Sequence, residues 1–89
     1  MLAVIVGKKG GKFTAKDGKA VESYKINFTS LYNDTERTGY YHVGSAVFER
    51  KCTRSIFDRL PNEDKAYDKG IVANITFDIN GNIDNVDIA

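Results

Sequence analysis

Apolar and polar positions alternate along most of this chain, and the period changes once. Residues 2–6 (LAVIV) are apolar and rich in β-branched side chains, which predicts a first strand. Residues 7–11 (GKKGG) read as a break, and residues 12–16 as strand again. Asp17-Gly18 is a tight-turn signal, because glycine accepts a positive φ at little cost. After it Tyr24, Ile26 and Phe28 alternate with Lys25, Asn27 and Thr29, the period of a strand with unlike faces. Residues 12 to about 30 are therefore expected to form one long hairpin whose tip projects.

Residues 33–39 are polar and predict a loop, and residues 40–44 a third strand. The period then becomes four: Phe48, Cys52, Ile56 and Leu60 form an apolar stripe, with Phe57 on the same face. That predicts a helix of about three turns, with Ser45 as cap and Pro61 as stop. Residues 71–79 and 83–88 predict two last strands, joined at Asn80-Gly81 by a turn suited to type I′. The order β-β-β-α-β-β predicts a mainly β fold. It suits a small five-stranded OB-like barrel, partly open, with one helix between strands 3 and 4. An α+β sandwich is the competing architecture. The 89 residues suffice for one domain, expected to span 1–89. A chain this short buries only about 60–65% of the surface it exposes unfolded, so a second copy would add support.

The net charge is +1, yet it is unevenly spread. Residues 1–28 hold Lys8, Lys9, Lys12, Lys16, Lys19 and Lys25 against Asp17 and Glu22, a net +4, and the remainder is −3. The basic end is the hairpin, where lysines interleave with aromatic residues. Lysines neutralise phosphates and rings stack on bases, so this pattern points to single-stranded nucleic acid held without sequence readout. Tyr24, about 20 Å along the strand from the turn, is placed where the hairpin leaves the barrel. Tyr40 shares a strand face with His42 and offers a second platform. The plainer readings are solvated surface charge and tyrosines lying over their neighbours.

Catalytic chemistry is poorly supplied. There is one histidine, His42, and one cysteine, Cys52, which falls on the apolar stripe and reads as a small hydrophobe. One of each is too few for a zinc site of familiar spacing. Gly7, Gly10 and Gly11 lack the Gly-Lys-Ser/Thr and the following helix of a phosphate loop. The expectation is a protein that is not an enzyme and carries neither cofactor nor metal. A lone cysteine fits a reducing compartment, the opening apolar run is too short for a signal peptide, and no segment predicts a membrane span. A cytoplasmic protein, bacterial or in a host cell, is expected.

Two blocks carry a resemblance. KFTAKDGKAVESYKI resembles the Phe-Thr and basic, glycine-containing DNA-binding wing of the single-stranded-DNA-binding proteins of filamentous bacteriophages, the gene V type. YDKGIVANITFDINGNIDNVDI is similar to that family's closing strands. Together they cover about two fifths of the chain. The resemblance implies an OB-like barrel that forms a homodimer and coats single-stranded DNA during replication. It also implies Lys16 and Lys19 as wing phosphate contacts, Tyr24 as the wing stacking residue and Phe77 as a late-strand aromatic on DNA. Tyr32 and Tyr40 both fall near the family's middle aromatic. The helical stripe at 45–60 departs from the family's pattern. RNA in place of DNA stays open, as does a small protein-binding module that inhibits a host enzyme.

Overall fold

The computed structural model describes residues 1–30 and 47–89. The fold is mainly β. Strands β1 (Leu2–Thr14), β2 (Ala20–Ser30), β3 (Val47–Lys51), β4 (Ile71–Phe77) and β5 (Ile83–Ile88) form one antiparallel sheet in the order β3-β2-β1-β4-β5. A short helix, α1 (Arg54–Arg59), and a 3-10 turn at Asp64–Tyr67 lie between β3 and β4. Among the described residues β3 and β5 do not pair with one another, so the barrel is not closed.

One face of the sheet carries the core. Ala3, Ile5, Ile26 and Phe28 from the central strands are buried with Ala73, Ile75, Ile83 and Val86 from the other side. Ile56 and Leu60 of the helix region close over them, each burial stabilising by about 1.5–3 kcal/mol. Phe28 sits with Phe48 of β3 5.8 Å away and Phe77 of β4 5.9 Å away, ring centre to ring centre. β4 thus reaches a ring of β2 across the intervening β1, which requires the sheet to curl.

Residues 7–11 do not break β1, which runs straight through them. An unbroken partner strand supplies ladder bonds to the glycines, and the Tyr24 ring covers Gly10: a Cβ there would lie 2.6 Å from the ring. The irregularity falls one residue earlier. Ile5 pairs with Phe28 but Gly7 pairs with Asn27, leaving Val6 as an extra residue. Two residues, Val6 and Gly7, separate the inward Ile5 from the next inward position, Lys8, which pairs with Ile26. The bulge therefore shifts the alternation, and Lys9, Gly11 and Phe13 face outward.

The helix is shorter than the apolar stripe predicts. Residues 47–51, expected to open it, form β3, with Phe48 opposite Phe28. A spacing of four is even, so it satisfies the strand period as well as the helical one. Phe48 and Cys52 face the core from extended chain, and only Ile56 lies in the helix, with Leu60 as its C-cap. Thr53 is the cap, its Oγ1 accepting from the Ile56 N–H. The expected strand at 40–44 and the Ser45 cap lie outside the described residues. Both hairpin tips use a three-residue loop ending in a left-handed glycine, Gly18 (φ 82°) and Gly81 (φ 81°). Asn80 has no positive φ, so its turn is not type I′; Asp78 Oδ1 instead accepts from the Asn80 and Asn82 N–H groups.

Candidate nucleic-acid interface

Beyond the Gly10–Tyr24 pair the two central strands leave the core and continue as an exposed two-stranded arm. It extends roughly 13 Å from Gly10 to Thr14 before its turn. Register fixes which side each residue faces. On the outer side Lys9 pairs with Lys25, and Lys25 pairs with Lys51. Three lysines thus stand in one row across three neighbouring strands. Like charges directly opposite one another destabilise a sheet. Glu49 offsets one of them, lying 3.3 Å from Lys25. Lys9 and Lys51 have no carboxylate within ion-pair reach among the described residues.

Toward the tip, the same face holds Gly11, Ser23, Phe13 and Val21. Lys9, Lys25, Phe13 and Ser23 line an open cleft of about 380 Å3. Phe13 is 55% exposed and makes no contact with another ring among the described residues. Lys16 and Lys19 flank the turn, both exposed, with Asp17 accepting from the Lys19 N–H. On the inner side Lys12 pairs with Glu22 at 3.3 Å, and Arg54 approaches that carboxylate at 3.7 Å.

Four residues expected to touch nucleic acid lie on the inner side: Lys12, paired with Glu22, and Lys8, Tyr24 and Phe77. Lys8 points inward. Its ammonium donates to the carbonyls of Phe57 (2.8 Å) and Leu60 (2.9 Å) and to Asn62 Oδ1 (2.6 Å), and lies 4.1 Å from the Phe57 ring centre. That uses all three of its protons at the helix end, where the Phe57 carbonyl also accepts from the Leu60 N–H. Tyr24 completes the inward row of Ile26 and Phe28. Its ring packs between Gly10 and Phe57, 4.9 Å from the latter, so it braces the base of the arm. Phe77 is 37% exposed and rests against Phe28 on the core side, away from the lysine row. Tyr32 and Tyr40 lie outside the described residues.

Comparison with protein-family models, curated proteins and solved structures finds no match to this chain. The site stands on its own geometry. Cys52 does not add a nucleophile: burial pushes its thiol pKa up, and Lys8 opposes this only in part. No helix among the described residues is long and apolar enough to cross a membrane.

Sequence reading missed Phe13 and Lys51. Phe13 is two positions beyond Gly11 and four beyond Lys9, an alternation hidden by treating the glycines as a break. Lys51 was hidden by assigning its segment to the helix.

Proposed function

We propose that this chain binds single-stranded nucleic acid without reading its sequence, through the outer face of β1, β2 and β3. The observation that carries the proposal is the row Lys9–Lys25–Lys51. Its self-repulsion is relieved by a polyanion laid across the strands. The outer face of neighbouring strands is also where small β-barrels of this type hold oligonucleotides. The unpaired Lys16 and Lys19 extend the positive surface to the arm's tip, and the wing-like block at 12–26 supports the same reading.

Titration with oligo-dT at several salt concentrations tests it. The chain has five tyrosines and no tryptophan, so tyrosine emission reports the complex. Affinity should fall steeply with salt, because each neutralised phosphate releases counterions. Replacing Lys9 or Lys51 with alanine should lower the log–log salt slope by about 0.7 each. Glu49→Gln should tighten binding at low salt by removing the competing carboxylate beside Lys25. Absence of any complex at micromolar protein and low salt would sink the proposal.

A further inference from the structure

We infer that Phe13 is the platform on which an unstacked base rests, and that Tyr24 is not. The inference rests on the nucleic-acid reading above and names the ligand chemistry that the arm selects: a planar base on a flexible strand, beyond phosphate charge alone.

Three observations converge. Phe13 faces the same side as the lysine row, because the Val6 bulge puts Lys9, Gly11 and Phe13 outward together. It lines one cleft with Lys9 and Lys25, about 13 Å along β1 from Lys9. A strand whose phosphates lie on the row can thus place a base on the ring. The ring is also free among the described residues: it is 55% exposed, with no aromatic neighbour and no cation above it there. Gly11 and Ser23, one step nearer the row, are small, so the approach to that ring is unobstructed; a Cβ added at Gly11 would meet nothing within 4 Å. Tyr24, by contrast, is half-buried, with its ring packed between Gly10 and Phe57.

A purely structural role for Phe13 would be its cross-strand pairing with Val21, which steadies the ribbon. Phe13→Leu separates the two, since it keeps an apolar partner for Val21 and removes the π face. It should weaken oligo-dT binding about ten-fold at fixed salt, leave the salt slope unchanged, and leave binding of inorganic polyphosphate as it was. Phe13→Trp supplies the chain's only indole, and its emission should be quenched by oligo-dT and not by polyphosphate. Oligo-dT binding by Phe13→Leu equal to that of the parent protein overturns this inference and leaves the nucleic-acid reading intact. So does an indole emission that saturating oligo-dT does not change. Failure of the parent protein to bind oligo-dT overturns both.

Discussion

β1 and β2 are one continuous ladder with two different halves. From Ala3 to Ile5, opposite Phe28 to Ser30, the inward Ala3, Ile5 and Phe28 are fully or almost fully buried and the outward side chains are incidental. From Gly11 to Thr14, opposite Ala20 to Ser23, nothing is buried and the outward side chains are the chemically distinctive ones. The backbone bonds are alike in both. The difference lies in what holds the ladder in place: core packing in one half, and in the other only the partner strand plus a brace at its base. A ribbon released from the core is free to choose residues for what they meet outside.

Substitutions in the two halves should separate sharply. Phe28→Ala removes the ring that Phe48 and Phe77 share and should cost about 3–5 kcal/mol, read by chemical denaturation. Lys16→Ala at the tip should stay within about 0.5 kcal/mol of the parent in the same assay.

The glycines of β1 sharpen the boundary. At Gly10 a Cβ would lie 2.6 Å from the Tyr24 ring and 2.9 Å from the Ser23 carbonyl oxygen, so Gly10→Ala should destabilise by about 1–3 kcal/mol. One residue on, Gly11→Ala meets open space and should stabilise by about 0.5 kcal/mol through the unfolded chain. Paired thermal melts check both; equal effects would mean the brace does not end where Tyr24 does.

Lys8 and Lys9 are neighbours on opposite sides of β1. Lys8→Met strips three donors from the end of α1 and should cost about 1–2 kcal/mol while leaving the salt slope of oligo-dT binding unchanged. Lys9→Ala should do the reverse.

The smallest effect is in pH. Burial raises the pKa of Cys52 and of Tyr67, whose hydroxyl donates to the Pro61 carbonyl. The fold favours the neutral forms, so this stability is complete below the unfolded values, 9.0 and 10.0, and is lost as pH rises through the higher folded ones. The arm contains neither residue. Melts between about pH 8 and 11 should show Cys52→Ala flattening the lower part of that decline.

Much of this was legible in the residues. The β4–β5 hairpin follows from alternation around a glycine turn, and the arm follows from Asp17-Gly18 with the strand beyond it. β3 was illegible because Phe48 and Cys52 satisfy two periods at once, and only the pairing of Phe48 with Phe28 decides between them. The lysines could be listed but not sorted. Which one caps a helix and which faces solvent depends on a bulge at Val6 that no residue type announces. Tyr24 raised the right question, and Phe57, thirty-three positions away, answers it.

That bulge has a consequence for how the chain tolerates change. A strand is read in two phases, inside and outside, and Val6 is where the phase slips. Deleting Val6 would remove the extra residue and still leave Gly7 opposite Asn27 and Lys8 opposite Ile26, so the arm would keep its sides. Deleting Ile5 as well would leave β1 one residue out of step with β2 and turn Lys9 and Phe13 toward the helix. The arm should therefore tolerate loss of the bulge, whereas a second one-residue deletion there should silence it without touching any residue on it.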